Sequence, residues 1–434
     1  MWNAHVFYKA VSLTTNLVLA VLRGLHVGNF KSLKDVSMEF KPLTVIIGPN
    51  GSGKSSILQA ILLLKKLHLN QGNVAMPALF DIEGYINMGS WDHLVFDESN
   101  PMRFSLLIGG DDISFQYNVR ISRDGRLSSD GVLQLGDVVV KLPGVAVNLP
   151  YSQRTSQSTS INVRGGALTL GWDGFRVSIS SIVGSVPDGL REGLLLTVNE
   201  WSKRVFFVPS PIVMYRRPSV SISPQQSREG IVNSLRSSLV PQEELLLALL
   251  ASDGNLEDYV ESHLEELFKI RVKTKVVPPY TVEVRSKVRR GRTALIVNEG
   301  GGVNRMAALF TILGLADRGS TILLEEPETN LHPAIQYKLA GILSRVVREE
   351  RKQLIITTHS EHLLLGVLNS VARGELSLND ITVYYMYKDE RGESKVEKLE
   401  VDESGRIKGG LPGFFEAEVE ELLEMLAPKS VAVG

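Results

Sequence analysis

The segment Gly48-Pro-Asn-Gly-Ser-Gly-Lys-Ser55 has the residue types and spacing of a phosphate-binding loop. Its glycines allow backbone N–H groups to turn inward around phosphate oxygens, and a following helix adds favourable dipole charge. Lys54 is placed to reach the β- and γ-phosphates, and Ser55 to ligate Mg²⁺. The alternative, a chance glycine turn, is disfavoured by the apolar strand before the loop. The predicted nucleotide-binding residues are Gly48, Pro49, Asn50, Gly51, Ser52, Gly53, Lys54, Ser55 and Ser56.

Two adjacent carboxylates end a second apolar run, Thr321-Ile-Leu-Leu-Glu-Glu-Pro-Glu328. Open α/β sheets bind ligands at the carboxyl ends of their strands, so this pair is predicted to meet the phosphate loop. Glu325 would hold Mg²⁺ through water, and Glu326 would orient or deprotonate an attacking water molecule. A hydrophobic run that ends in acids is commonplace by itself, and the phosphate loop is what favours this role.

A histidine ends a third apolar run, Leu354-Ile-Ile-Thr-Thr-His359, one strand-and-helix unit after the acids. His359 is predicted to hydrogen-bond the γ-phosphate and to join Lys54 and Glu326 in catalysis. A lone histidine at a strand end is more often an ordinary surface or core residue. Its position after the acidic pair is the observation that favours a functional role.

The segment Asn298-Glu-Gly-Gly-Gly-Val-Asn-Arg305 precedes another predicted helix. Glycines at a helix start make a second anion site, here at Gly300, Gly301 and Gly302. Two such helix ends cannot easily meet at one nucleotide within one chain, but two copies can exchange them. We therefore predict a homodimer with ATP between the subunits. A plain helix-entry loop is the alternative interpretation.

The elements around these motifs alternate strand and helix, which predicts a parallel sheet with crossover helices. Residues 100–147 instead have the alternation and turns of antiparallel strands, and residues 151–160 have the polar composition of a loop. Residues 241–250 and 256–268 are predicted amphipathic helices. The predictions for the C-terminal block and the phosphate-loop helix are helices at 54–69, 303–316, 333–351 and 361–372 and strands at 321–324 and 354–358.

The composition is that of an ordinary globular chain, with 434 residues and a formal net charge of -1. The absence of cysteine excludes disulfides, cysteine-ligated metals and thiol nucleophiles. Near-neutral charge argues against wholesale nucleic-acid binding and leaves a local basic patch open. The apolar residues 11–22 are too few to span a bilayer, which needs about 20, and no signal-peptide cleavage site follows them. A cytoplasmic location without membrane contact is predicted.

The order of the four motifs resembles the ABC-type ATPase heads of the SMC, RecF and OLD proteins. More narrowly, the chain is similar to the OLD-like AAA ATPases of archaea and bacteria, over residues 22–147 and 205–420. The segments that carry the closer similarity are residues 28–33 (GNFKSL), 84–96 (GYINMGSWDHLVF), 325–333 (EEPETNLHP) and 405–416. This resemblance implies an α/β P-loop NTPase: a mixed or parallel core sheet flanked by helices, with an antiparallel β lobe and a helical lobe.

The resemblance also implies roles and boundaries. ATP and Mg²⁺ are the implied ligands, with Glu325 as the Walker B acid, Glu326 as the catalytic base and His359 as the switch histidine. Residues 300–305 stand for the signature loop that closes over the partner subunit's ATP. The implied divisions are an N-terminal extension (1–21), an N-terminal ATPase lobe (22–147), an inserted β and helical region (148–297) and a C-terminal ATPase lobe (298–434).

Some features depart from the pattern of the family. The signature serine is missing, so the contact to the partner would use backbone N–H groups, Asn298 or Asn304. Gln71 is the candidate for the Q-loop glutamine. Phe30 and Lys31 are candidates for the nucleotide's surroundings, with Phe30 equally suited to the core.

A transporter subunit or a chromosome-organising protein would need membrane segments or long coiled coils, and the chain contains neither pattern. No toprim nuclease is predicted after His359, so a nuclease or other effector would be a separate partner. The basic stretch 271–292 suits either DNA binding or a solvated β-ribbon, and Arg216 and Arg217 suit nucleotide or nucleic acid. The alternative to a robust enzyme is a slow ATP-dependent switch or a DNA-binding module.

Overall fold

The computed structural model describes residues 21–83, 85–151, 156–163, 165–210, 220–221, 227–277, 281–288 and 292–409. Several expectations therefore fall outside the described residues. They concern nearly all of the extension 1–21, Arg216 and Arg217, and residues 410–416 of the C-terminal similarity.

The regular elements are numbered in chain order. The strands are β1 (Leu22–Phe30), β2 (Leu33–Glu39), β3 (Leu43–Ile47), β4 (Asp81–Ile82), β5 (Ile86–Asn87), β6 (Met102–Gly109), β7 (Ile113–Ile121), β8 (Arg126–Leu135), β9 (Val138–Asn148), β10 (Gln157–Val163), β11 (Gly166–Trp172), β12 (Val177–Gly184), β13 (Val205–Val208), β14 (Val220–Ser221), β15 (Arg271–Val277), β16 (Thr281–Val288), β17 (Arg292–Leu295), β18 (Thr321–Glu325), β19 (Gln353–Thr358), β20 (Ile381–Lys388) and β21 (Ser394–Leu399). The α-helices are α1 (Lys54–Asn70), α2 (Met76–Leu79), α3 (Trp91–Leu94), α4 (Asp188–Asn199), α5 (Arg228–Ser237), α6 (Glu243–Ser252), α7 (Gly254–Phe268), α8 (Gly301–Leu315), α9 (Pro333–Glu350) and α10 (Glu361–Ala372).

A six-stranded sheet with the order β13-β18-β19-β3-β20-β21 forms the core. Neighbours from β13 to β20 are parallel, and β21 is antiparallel to β20. Every residue of β3, β18 and β19 is buried, as expected for parallel strands that are covered on both faces. The predicted core sheet with crossover helices is confirmed.

The register of this sheet brings the motifs to one edge. Glu325 lies opposite Thr357, and Thr358 lies opposite Ile47. The strands that precede the phosphate loop, the acidic pair and the histidine therefore end at the same level. Strand β13, from the region predicted as an insertion, also belongs to this sheet because it pairs with β18.

A second six-stranded sheet, β2-β1-β6-β7-β8-β9, is antiparallel throughout. Buried and accessible residues alternate along β7, which is typical of a sheet with one solvated face. This sheet confirms the predicted antiparallel lobe. Helices α5 to α8 contribute to a separate hydrophobic cluster on the core sheet, which gives the predicted helical lobe.

The prediction of a loop at residues 151–160 is wrong from Gln157 onward. Strand β10 starts there and pairs with β11 along its whole length. Its serines and threonine are accessible while Ile161 is buried, so polar residues on one solvated face gave a strand the composition of a loop.

Helix α1 begins within the phosphate loop, at Lys54, and runs through the interior of the protein. Two polar side chains within it, Lys65 and His68, are fully buried. The Lys65 ammonium donates to the carbonyls of Val205 at 2.7 Å and Ser238 at 2.6 Å, and burial lowers its pKa to about 7. The helix is thereby anchored to the start of β13 and the end of α5, which holds the loop in place.

Candidate active site

The phosphate loop needs glycine where its backbone approaches other strands. A Cβ atom on Gly48 would lie 2.0 Å from the carbonyl oxygen of Met386 in β20. A Cβ atom on Gly53 would lie 2.4 Å from Ser394 Oγ, and the φ of Gly53 is +104°, which favours glycine. The spacing of these glycines therefore reflects close packing against β20 and β21 as well as access for phosphates.

Lys54 is the first residue of α1 and is only 4% exposed. Its ammonium donates to the carbonyl oxygens of Gly48 at 2.7 Å and Pro49 at 2.9 Å. Burial lowers the pKa of Lys54, and the carboxylates of the acidic motif, Glu326 first, oppose that shift. The side chain is thus held inside the loop that it is predicted to serve.

Glu325 ends strand β18 and is only 8% exposed. The hydroxyl of Tyr85 lies 2.6 Å from Glu325 Oε2, and the backbone N–H of Ser210 donates to the same oxygen at 3.4 Å. Burial and the carboxylate together raise the pKa of the Tyr85 hydroxyl. Both of these donors reach Oε2, and no described residue donates to the other oxygen of Glu325.

Glu326 adopts a left-handed backbone conformation with φ +43°. For a residue with a side chain this costs about 1 kcal/mol, so neighbouring groups must stabilise it. Its N–H donates to the Thr357 carbonyl at 2.9 Å, and the buried Arg305 guanidinium donates to the carbonyls of Glu325 and Glu326. The chain leaves strand β18 at this turn, and these hydrogen bonds stabilise it.

His359 follows β19 and lies between two carboxylates. Its Nδ1 atom is 3.4 Å from Glu326 Oε1 and 3.8 Å from Glu328 Oε1. Glu328 is buried, and its Oε1 accepts from the Thr358 hydroxyl at 2.5 Å and from the His359 N–H at 3.3 Å. Burial raises the pKa of Glu328. These contacts place His359 beside the catalytic candidate Glu326.

A cavity of about 640 Å³ joins the phosphate loop to the acidic motif. Its lining residues are Lys31, Ser32, Asn50, Gly51, Ser52, Gly53, Lys54, Ser55, Ser56, Gln59, Met88, His93, Val95, Phe96, Glu326, Lys388 and Gly392. Glu326 is the residue of the acidic pair that reaches this cavity. His359 instead lines an adjoining pocket of about 340 Å³, together with Glu328 and Gln336.

The glycines of the predicted signature loop lie away from this cavity. Gly300 and Gly301 are exposed, and a Cβ atom on Gly300 would have nothing within 4 Å. A Cβ on Gly302 would meet Leu331 at 2.9 Å, so that glycine packs against the loop after the acids. Asn304 and Arg305, in the predicted segment 300–305, are buried. Their side chains are therefore not available for contact with a partner subunit.

Of the remaining candidates for the nucleotide site, Lys31 lines the cavity, whereas Gln71 and Phe30 are not among its lining residues. Gln71 caps the far end of α1, roughly 25 Å from Lys54 for a helix of this length, so it is too distant to serve as the Q-loop glutamine. Phe30 is fully buried and stacks edge-to-face on Phe104, whereas Lys31 lines the cavity and donates to Gln59 at 2.5 Å.

Sequence reasoning missed several residues of the site. Tyr85 lies in the segment 84–96, which carried a family resemblance without an assigned role. Glu328 belongs to the acidic motif but had no assigned role, and Lys388 reaches the cavity from the end of β20. Only the tertiary fold brings Tyr85 and Lys388 to this edge of the core sheet.

The core sheet, the phosphate loop and the helix that follows it give the fold of a P-loop NTPase of the ABC type. The family description "AAA ATPase domain" matches residues 21–111 and 233–364, more than half of the chain. The chain therefore belongs to the AAA ATPase domain family, which confirms the predicted resemblance.

Known relatives agree with this assignment. The OLD nuclease of Thermus scotoductus is 24% identical over 358 residues, which are 78% of this chain and 59% of that protein. The chromosome partition protein Smc of Methanocaldococcus jannaschii is 43% identical over 60 residues, 12% of this chain and 5% of that one. The chain thus spans 59% of the length of the OLD nuclease.

A solved structure has the same fold. The SMC head bound to the C-terminal winged-helix domain of ScpA superposes with a TM-score of 0.51 at 16% identity, covering 88% of this chain and 99% of that head. No helix in the described part of the chain has the length and apolar character needed to cross a bilayer.

Proposed function

We propose that this chain hydrolyses ATP to ADP and phosphate with Mg²⁺, and that two copies complete each other's sites. The observation that carries the proposal is the cavity shared by the phosphate loop and Glu326. It places an acid that could activate water beside the residues suited to a triphosphate.

The proposed roles follow from the positions of the side chains. Lys54 exchanges its two backbone carbonyl partners for the β- and γ-phosphates of ATP. Glu326 accepts a proton from the water that attacks the γ-phosphorus. The bond between the γ-phosphorus and the bridging oxygen of the β-phosphate breaks, and ADP leaves with that oxygen. His359, held beside Glu326, contacts the γ-phosphate and orients the attacking water.

Ser55 and Glu325 are the proposed Mg²⁺ ligands. The carboxylate of Glu325 fits this role because one oxygen is held by Tyr85 and Ser210 while the other has no donor among the described residues. Hydroxyl and carboxylate oxygens are the ligands that Mg²⁺ prefers, and the metal usually keeps several waters. Bound Mg²⁺ would neutralise charge on the phosphates.

Phosphate release from ATP by the purified protein tests this activity. We expect sustained release with Mg²⁺ and loss of release when EDTA removes the metal, because the phosphate charge is then uncompensated. Equal rates with and without EDTA would contradict the metal's role. ATP binding without repeated turnover would instead favour the slow ATP-dependent switch.

The second copy is proposed to contribute Gly300, Gly301 and Gly302 to the site. Two exposed glycines open the N-terminus of α8, outside the cavity of their own chain, and a helix N-terminus attracts phosphate. Asn298 is also exposed beside them. This arrangement supports a homodimer with two ATP molecules between the subunits.

Gly301→Asp is expected to prevent this dimer without harming the fold. Only Asn330 Nδ2, at 4.0 Å, is near a Cβ on Gly301, and a carboxylate at a helix N-terminus stabilises the helix. The same charge would repel the partner's triphosphate. Light scattering with a non-hydrolysable ATP analogue should therefore detect dimers of the wild type and monomers of the variant.

Gly254→Asp is the matched control for this experiment. Gly254 is also exposed and also begins a helix, and a Cβ atom added to it would have nothing within 4 Å. This variant should dimerise like the wild type. A Gly301→Asp protein that still forms analogue-dependent dimers would contradict the proposed contribution of the second copy.

We infer that the ATP cycle drives a nucleic-acid-related or defence process through a partner such as a nuclease or other effector, and the similarity to the OLD nuclease supports this inference. DNA binding by residues 271–292 is less favoured. Arg271 pairs with Glu265, and Lys273 pairs with three acids of α7, so part of the basic ribbon is neutralised within the chain. Salt-dependent DNA binding measurements would test that function.

A further inference from the structure

Tyr85 lies beside the acidic pair and contacts one carboxylate oxygen of Glu325. It stands between β4 and β5, and its hydroxyl lies 2.6 Å from Glu325 Oε2 and 2.8 Å from the Ser210 carbonyl oxygen. One hydroxyl proton serves one acceptor at a time, and a carboxylate is the stronger acceptor. The favoured arrangement is therefore donation from Tyr85 to Glu325.

The surroundings of Glu325 make this bond important for orientation. The other donor to Oε2 is the Ser210 N–H, at the longer distance of 3.4 Å. In the part of the chain that the structure describes, Glu325 side-chain oxygens receive no further hydrogen bond. Tyr85 thus supplies the short contact that distinguishes one carboxylate oxygen from the other.

Packing and a backbone hydrogen bond fix the position of Tyr85. The Tyr85 ring packs edge-to-face on Phe207 with centroids 5.5 Å apart, and the backbone N–H of Tyr85 donates to the Ile82 carbonyl at 2.8 Å. Phe207 belongs to β13 and lies opposite Leu323 of β18. The tyrosine and the strand that ends in Glu325 are therefore fixed to the same edge of the core sheet.

We propose that Tyr85 is a positioning residue for metal binding: its hydroxyl holds Oε2 of Glu325 so that the other oxygen faces Mg²⁺ or its bound water. This inference rests on the proposed function, because it assigns Glu325 to the metal. Groups that orient a metal ligand from behind commonly change metal affinity or activity about 10- to 100-fold when they are removed.

Tyr85→Phe tests the inference because phenylalanine keeps the ring that packs on Phe207. We expect the half-saturating Mg²⁺ concentration for phosphate release to rise about 10-fold, with the melting temperature and metal-free ATP affinity unchanged. Titration of Mn²⁺ against the ATP-bound protein, followed by electron paramagnetic resonance, should give the same weakening without requiring turnover.

Tyr259→Phe is the matched control. The Tyr259 hydroxyl also donates to a carboxylate, Glu350 at 2.8 Å, but it does so at the end of α9 that precedes β19 and lies opposite the site. This variant should keep the wild-type metal dependence, since a general effect of losing a buried phenol would appear in both proteins.

The outcomes separate the two proposals. Wild-type metal dependence in Tyr85→Phe, by both phosphate release and Mn²⁺ titration, would overturn the role of Tyr85. A wild type that binds Mn²⁺ and ATP but releases no phosphate would overturn the proposed hydrolysis, and the Mn²⁺ titration would still decide the role of Tyr85. A wild type that binds no Mn²⁺ with ATP would overturn both.

Discussion

Lys54→Ala is expected to weaken ATP binding by about 100-fold, the effect of losing one or two charge-assisted hydrogen bonds. The ammonium lies at the start of α1 and is held by the carbonyls of Gly48 and Pro49, inside the loop that should receive the phosphates. Alanine removes the positive charge placed at that position. Isothermal titration calorimetry with ATP and Mg²⁺ measures the change directly.

Lys66→Ala is the matched control for this substitution. Lys66 lies on the same helix, and its ammonium likewise bonds two backbone carbonyls, those of Ala78 and Asp81, away from the phosphate loop. The control should bind ATP like the wild type. If Lys54→Ala retained wild-type ATP affinity in a folded protein, the assignment of residues 48–55 to the triphosphate would be lost.

Glu326→Gln is expected to slow phosphate release by about 100- to 10,000-fold, the range found when a general base is removed. Glutamine keeps the size of the side chain and the backbone turn, so ATP binding should persist while water is no longer activated. The ATP-bound dimer should therefore accumulate. Light scattering with ATP measures the assembly, and a phosphate assay measures the rate.

Two controls make this result specific. The double variant Lys54→Ala, Glu326→Gln should stay monomeric with ATP, because a dimer that depends on bound nucleotide needs Lys54. Glu349→Gln, at an exposed carboxylate of α9 that pairs with Arg348, should keep wild-type turnover. A Glu326→Gln protein that hydrolyses ATP at the wild-type rate would remove Glu326 from the reaction.

Much of the fold could be predicted because its signals are local. The predicted helix at 333–351 corresponds to α9, and the predicted strand at 354–358 corresponds to β19 within one residue. Parallel strands that are buried on both faces are apolar throughout, and the turns after them expose the residues that do chemistry. The same locality misled at Gln157, where a strand with one polar face has the composition of a loop.

The surroundings of the acids could not be predicted in this way. Tyr85 lies 240 residues before Glu325 in the chain, and Ser210 lies 115 residues before it. No sequence pattern around Tyr85 or Ser210 indicates contact with Glu325. A tyrosine after a short strand, for example, is an ordinary residue. Their meeting depends on β13 joining the core sheet beside β18.

The sequence by itself determined the phosphate loop, the acidic motif and the strand-and-helix order, since each depends on neighbouring residues and on hydrophobic periodicity. The sequence also predicted that these motifs meet, but the tertiary structure alone decided how: Glu326 lines the cavity of the phosphate loop, whereas His359 lines a different pocket. It also set the contact of His359 with Glu326 and buried Arg305 against the turn of the acidic motif instead of leaving it on an exposed face. The physical reason is that sheet register and packing bring distant segments together, and the spacing of residues within a single motif predicts neither.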